Sequence, residues 1–268
     1  MQEYLKEYEK WLSDSYISDE DKKILKNMSE EEKMDSFYTS LTFGTGGIRG
    51  KIGLGTNRMN IYLIRKVTQG IANYLLDNYE EKAKKQGVVI AYDPRNMSKE
   101  FACNTAKVFI ANGIKAYIFD GVRTTPELSY AIRKLGCMVG IVITASHNKK
   151  EYNGYKVYWE DGAQIVAPQA TGIVSSVTAV DIFTGIKIME EKEAIDKELL
   201  VYVGKKLDDR YIEEVKKNAI NPNVENKDKI KFVYSPLHGV AARPVERVLK
   251  EMGYTNVYPV KEQEKPDG

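Results

Sequence analysis

Thr144–Lys156 reads T-A-S-H-N-K-K-E-Y-N-G-Y-K and follows the unbroken apolar run Met138-Val139-Gly140-Ile141-Val142-Ile143. A run of this length, with no polar alternation, reads as a buried strand. Ser146 therefore stands just past the carboxyl end of a strand, where open α/β sheets place ligand chemistry. A hydroxyl (Ser146), an imidazole (His147), two amides (Asn148, Asn153) and an ammonium (Lys156) crowd one short loop. Such a loop has the groups to hold a nucleophile and an anion together.

The pattern on either side of this strand repeats the same unit. Upstream, Val88–Tyr92 reads as a short strand ending in the loop Asp93-Pro94-Arg95-Asn96-Met97. Ser98 is expected to cap a helix that stops at Asn112-Gly113. Lys115–Phe119 reads as a strand, and Thr124-Thr125-Pro126 opens a helix ending near Leu135-Gly136. Ile61, Ile64, Val67, Thr68, Ile71 and Leu75 mark a long amphipathic helix before all of these. Downstream, Tyr155–Trp159 is a further strand with a tight turn at Asp161-Gly162, and helical pattern with weak caps fills Pro168–Lys205. Strand alternating with helix predicts an α/β layer fold.

Both ends of the chain differ from this middle. In the first forty residues Tyr4, Leu5, Tyr8, Trp11 and Leu12 share one helical face. Ser18 starts a second helix, and Ser29 with Glu32 has the form of a capping box. Near the other end, Asp208–Asn218 reads as a polar helix and Asn221-Pro222-Asn223 as a turn. Lys231–Tyr234, Pro244–Glu251 and Asn256–Pro259 then read as strand, helix and strand. The expected organisation is a helical extension (1–40), a main α/β domain (41–205) and the start of a second α/β domain (206–268).

Composition narrows the partners. With 40 basic and 38 acidic side chains the formal charge is +2, too small for a broad field that attracts nucleic acid or anionic membrane. The 43% apolar and 29% charged content is that of a soluble globular protein, and no apolar stretch approaches the ~20 residues that span a bilayer. The first residues lack the basic and apolar regions of a signal peptide. Cys103 and Cys137 stand outside any CxxC spacing in apolar segments, and are expected to be reduced structural thiols in a cytoplasmic protein.

Each remaining cluster is weak alone. Thr42–Asn57 is dense in glycine, and its backbone N–H groups with Arg49 suit an anion. A helix precedes these glycines and more loop follows, so neither a dinucleotide fingerprint nor a P-loop fits, and a plain turn is the alternative. Ser146 beside His147 lacks the G-x-S-x-G elbow of a hydrolase, and neighbours on extended chain point to opposite faces. His238, with no acidic or cysteine cluster near it in sequence, reads as a hydrogen-bonding loop residue. Arg95 and Arg123 follow strands, where either meets phosphate or remains a solvated charge. Taken together, a glycine loop with Arg49 and a strand-end serine followed by Lys156 fit phosphoryl chemistry, which needs a nucleophile, cations and alignment.

Three segments resemble the α-D-phosphohexomutase family, and within it the phosphoglucomutase branch. These are F-G-T-G-G-I-R-G at Phe43–Gly50, the Thr144–Lys156 loop with the Tyr-Trp-Glu-Asp-Gly-Ala-Gln segment (158–164) that follows it, and S-P-L-H-G-V at Ser235–Val240. The similarity runs in sequence order from about Leu41 to the end. It implies a layered α/β/α first domain with a mixed sheet and an incomplete second domain. It implies that Ser146 carries a phosphate and passes it to glucose 1-phosphate, through glucose 1,6-bisphosphate, to yield glucose 6-phosphate. Mg²⁺ would bind an oxygen of the Ser146 phosphate, with its other ligands beyond the chain's end. Lys156 and Arg49 would serve acid–base transfer and charge neutralisation, and Gly46, Gly47, His147 and Asn148 would hold phosphate and loop. Lys149 stands where the family usually has proline, which removes a φ restraint and predicts a more mobile loop. The resemblance also implies that the remaining domains of a parent enzyme are needed for turnover, and that the piece alone is inactive and inclined to self-associate. Relatives acting on mannose or pentose phosphates, and a non-catalytic phosphate- or partner-binding protein, are the alternatives.

Overall fold

A computed structural model describes residues 3–237 and 239–267. Ten α-helices among these residues are α1 (Glu3–Ser13), α2 (Asp19–Lys26), α3 (Glu30–Phe37), α4 (Ile61–Gln86), α5 (Ser98–Ala111), α6 (Thr125–Leu135), α7 (Gln169–Ala179), α8 (Glu191–Asp196), α9 (Lys205–Lys217) and α10 (Ala242–Glu251). The strands are β1 (Ile48–Lys51), β2 (Val88–Tyr92), β3 (Ala116–Phe119), β4 (Val139–Ile143), β5 (Tyr152–Trp159), β6 (Leu200–Val203), β7 (Lys231–Tyr234) and β8 (Asn256–Pro259). Six strands form one mixed sheet in the order β1-β5-β4-β2-β3-β6. β4, β2, β3 and β6 run parallel, while β5 is antiparallel to both β4 and β1.

Every residue of β2 and β4 is buried, which explains their continuous apolar sequence: helices cover both faces. One face packs Ile90, Ile141 and Val157 against Ile71 of α4, Phe109 of α5 and Ile173 of α7. The other packs Val89, Ala91 and Val142 against Leu128 and Ile132 of α6 and Leu207 of α9. The result is an α/β/α layered domain. From β2 the chain moves out to β3, then crosses back to place β4 on the opposite side of β2. The crevice between the carboxyl ends of β2 and β4 is therefore a topological switch point, and both Asp93 and Ser146 follow strands that end there.

The N-terminal helices close over a separate aromatic core. Trp11, fully buried, meets Phe37, Tyr62 and Phe183 edge-on at 5.5–6.0 Å between ring centroids. Ser18 caps α2, and the capping box at Ser29 has both of its hydrogen bonds to and from Glu32. Near the other end, β7 and β8 pair in parallel, with α10 between them in sequence and packed on β8. Ion pairs from Lys216 to Glu251 and from Arg247 to Asp209 tie α10 to α9. Val233 and Tyr258, opposite one another in register, are 81% and 50% exposed, so one face of this pair is bare among the described residues.

Six sequence expectations change. Ile48–Lys51, read as loop, is an edge strand whose burial alternates in and out. Only Ile48 and Gly50 face inward, too little apolar signal for a strand reading. Leu200–Val203 is a sixth strand along the far edge, half-exposed and only four residues long. Strand β5 begins at Tyr152 rather than Tyr155, because its polar start pairs with the edge strand β1. Ser98 does not cap α5: Met97 occupies the cap position in a left-handed conformation (φ 66°), and Ser98 lies buried in the first turn. Helices α9 and α10 also begin a few residues earlier than expected, at Lys205 and Ala242. Cys103 and Cys137 are both free thiols, half-buried and buried respectively.

Candidate active site

Beyond Ile143 the chain leaves the sheet in a compact loop. The Thr144 amide still donates to Gly154 O of β5 (3.0 Å), which continues the ladder for one residue. The Thr144 hydroxyl then accepts from the Ser146 amide (3.0 Å), and the Asn148 amide donates to Ala145 O (3.1 Å). Together they close a turn that leaves Ser146 at φ 57°. A left-handed conformation costs a residue with a Cβ about 1–2 kcal/mol, and strain of this kind gathers at functional loops. Ala145 is buried while Ser146 and His147 are exposed.

Ser146 lines a cavity of about 220 Å³ with Asp93, Arg123, Thr125, Thr144 and Lys156. Lys156 reaches it from β5, where it stands opposite Val142 in register. Arg49 approaches the loop from another side. Opposite Gly154 on β1, it donates from Nη1 to Asn148 Oδ1 at 2.7 Å. The structure thus brings Ser146 and Lys156 to one cavity, and brings Arg49 to the serine loop through Asn148. His238 lies outside the described residues; its neighbours Gly239 and Val240 complete the cavity wall.

Two backbone donors of the glycine loop are engaged within the loop itself. Gly44 and Gly47 exchange their own N–H and C=O groups, both at 2.9 Å, and Gly46 O accepts from Gln164 Nε2 at 2.9 Å. Gly47 has φ 98°, and a Cβ there would fall 2.1 Å from Tyr155 O. Its role in the fold is to let the β1 edge close against β5, which sets Arg49 in register.

Two side chains read as candidates from sequence have other duties. Asn153 is fully buried on β5, with its amide donating to Asn96 O (3.0 Å) and Ser98 Oγ (2.9 Å). Arg123 forms a fork to Asp208 at the start of α9, with both bonds at 2.8 Å, and also reaches Asp120. Its charge is thereby matched, which leaves Lys156 as the less committed cation of the cavity. Beneath Arg123, Glu127 is buried and its carboxyl is pushed up to about 7, by burial first and then by the Asp208 charge, with Arg123 opposing.

Sequence reasoning missed what Arg95 does. Its guanidinium is spent on the serine loop itself, with bonds to the backbone of Ser146, Asn148, Lys149 and Tyr152. The signal available was an Asp-x-Arg at the end of a buried strand neighbouring the serine strand.

The described residues contain no group of three or more His, Cys, Asp or Glu side chains placed to hold a metal ion. Asp93, the carboxylate that lines the cavity with Ser146, accepts from Ser98 Oγ (2.7 Å) and pairs with Arg95. These side chains therefore do not fit a resident Mg²⁺ by themselves. None of the described helices is long and apolar enough to cross a membrane.

Comparison with known proteins gives the family. Residues 40–182 match the family model described as phosphoglucomutase/phosphomannomutase, alpha/beta/alpha domain I, and residues 209–268 match that described as domain II. A phosphoglucomutase of Staphylococcus saprophyticus is 35% identical over 247 residues, covering 92% of this chain and 44% of the relative. A phosphopentomutase of Mus musculus is 33% identical over 264 residues, covering 96% and 42%. Among solved structures, the exocytosis-sensitive phosphoprotein parafusin (a phosphoglucomutase) from Paramecium superposes with a TM-score of 0.60 at 20% identity, over 82% of this chain and 44% of that one. The chain spans less than half the length of these relatives. Matched over most of its length by both models, the chain belongs to the phosphoglucomutase/phosphomannomutase family.

Proposed function

We propose that this chain is the serine-bearing part of a phosphosugar mutase that interconverts glucose 1-phosphate and glucose 6-phosphate. The observation that carries the reading is the exposed Ser146 hydroxyl, held in a left-handed turn at the switch point and sharing its cavity with Lys156. In the first transfer the bond from Ser146 Oγ to phosphorus breaks and one from a free sugar oxygen forms. In the second the roles reverse, and Ser146 Oγ takes a phosphoryl group back from the other sugar oxygen of the bisphosphate. In the first of these steps the serine oxygen regains a proton and the sugar oxygen sheds one. The Lys156 ammonium is placed to stabilise the charge that develops and to supply that proton. Arg49 and Asn148 steady the loop, Gly46 and Gly47 shape the edge beside it, and His147 stands exposed next to the serine as a phosphate contact. Any Mg²⁺ would draw its protein ligands from outside the described residues.

The proposed organisation is a helical extension (1–40), a serine domain (41–205) and a second domain from 206 onward. Turnover requires the further domains that make up the rest of the relatives' length, and the 268-residue chain alone is inactive. Action on a pentose phosphate is the second reading, favoured by the phosphopentomutase similarity. The test is isomerisation by the gene product that carries this chain, with glucose, mannose and ribose 1-phosphates offered in turn. Ser146→Ala is expected to lower turnover on the preferred sugar by a thousandfold or more, on the order of other nucleophile deletions. Turnover within about tenfold of the parent would remove Ser146 from the chemistry.

A further inference from the structure

We propose that Arg95 is the positioning residue that fixes the shape of the serine loop, and through it the place of the Ser146 hydroxyl. The guanidinium has five N–H donors in a rigid planar fork. Here Nη2 donates to Ser146 O (2.9 Å) and Asn148 O (2.7 Å), and Nη1 donates to Lys149 O (2.9 Å) and Tyr152 O (3.2 Å). The remaining nitrogen, Nε, lies 3.4 Å from Asp93 Oδ2. One side chain thus gathers four backbone carbonyls from a single turn of chain more than fifty residues away. The side chain is only 12% exposed, so water competes poorly for these carbonyls.

The clamp is itself anchored. Asp93 accepts from the Arg95 amide (3.1 Å) and from Ser98 Oγ (2.7 Å), and Ser98 in turn accepts from buried Asn153 at the root of the serine loop. The loop after β2 therefore grips the loop after β4 by a closed circuit. A division of labour follows at Asn148: Arg95 holds its carbonyl and Arg49 holds its side chain. The left-handed turn at Ser146 needs such an external hold, since the serine backbone does not favour it unaided. The same clamp restrains Lys149 through its carbonyl, where local sequence supplies no φ restraint. A lysine at position 95 would keep the charge, but its tetrahedral ammonium has three donors and no fork, so it cannot span four carbonyls.

The consequence for phosphoryl transfer rests on the proposed function, whereas the loop-fixing does not, and two measurements keep them apart. Backbone hydrogen exchange on this chain is expected to speed up about tenfold or more across residues 145–152 in both Arg95→Lys and Arg95→Ala, since charge-assisted bonds are lost there. The β2, β3 and α4 amides should stay within about twofold. In the gene product that carries the chain, Arg95→Ala is expected to lower kcat about a hundredfold with KM within about threefold, as misplacement of a reacting group does. Added guanidinium ion should restore part of that loss in Arg95→Ala and none in Ser146→Ala. Unchanged exchange over residues 145–152 in both variants would overturn the clamp. Faster exchange with an undiminished kcat would overturn its bearing on transfer. Should the parent show no transfer, the functional reading fails and the exchange result alone decides the clamp; if Arg95→Ala does not fold, Arg95→Lys carries both measurements.

Discussion

Gly47→Ala puts the packing beneath the site to a quantitative test. At φ 98° the alanine backbone is strained by about 1–2 kcal/mol. The new Cβ would lie 2.1 Å from Tyr155 O and 3.1 Å from Lys156 Cα, both backbone atoms of β5 that cannot rotate away. Ordinary contact begins near 3.4 Å, so the β1 edge must retreat by roughly an ångström. That movement strains the two 2.9 Å bonds between Gly44 and Gly47, each worth about 1 kcal/mol. Alanine returns about 0.4–1 kcal/mol by restricting the unfolded chain. The net expectation is a loss of about 2–3 kcal/mol, with Gly46→Ala as control. A Cβ at Gly46 meets only Gln164 Nε2 at 3.7 Å and should change stability by less than about 0.5 kcal/mol. Urea titration followed by circular dichroism measures both. Equal midpoints for the two variants would refute the close approach of β1 to β5 that sets Arg49 in register.

Glu127 predicts a pH dependence. Its carboxyl rises from the ordinary 4.5 to about 7 when folded, beside Asp208, Arg123 and Tyr211. The folded chain keeps a proton that the unfolded chain has lost, so stability is full below the lower value and falls as pH rises towards 7, by on the order of 3 kcal/mol. Glu127→Gln should flatten that decline, and thermal melts at pH 5 and pH 8 with an unchanged difference would contradict it. The bare face at Val233 and Tyr258 predicts self-association of the 268-residue chain. Light scattering should show apparent mass rising with concentration and falling in Val233→Lys, whereas a monomer at every concentration would count against it.

How much was legible follows from the range of the interactions involved. Strands β2 and β4 announce themselves because burial on both faces demands an unbroken apolar sequence. The caps at Ser18, Ser29 and Thr124 are local hydrogen bonds, readable over four residues. The placement of Ser146 past a strand end was equally plain. Its left-handed φ was not, because that depends on the Thr144 hydroxyl and on carbonyls gathered from beyond the loop. Strand β1 escaped notice because its identity as a strand lies in pairing with residues about a hundred positions away. Met97 displaced Ser98 from the cap since the tight loop between Asp93 and Ser98 needs the serine hydroxyl inside, donating to Asp93. Arg95 and Arg123 looked alike in sequence, each a cation after a strand. Their partners, serine-loop carbonyls for one and Asp208 for the other, come from distant elements that only the fold brings near.

The most direct test of the central claim is to locate covalent phosphate. The gene product that carries this chain is incubated with glucose 1,6-bisphosphate and digested, and its peptides are sequenced by mass spectrometry. With the bisphosphate isotopically labelled, the account predicts one labelled phosphate per chain, on Ser146, whose label passes into the hexose phosphates when unlabelled glucose 1-phosphate is added. Phosphate on another residue, or none while the isomerisation runs, would contradict it.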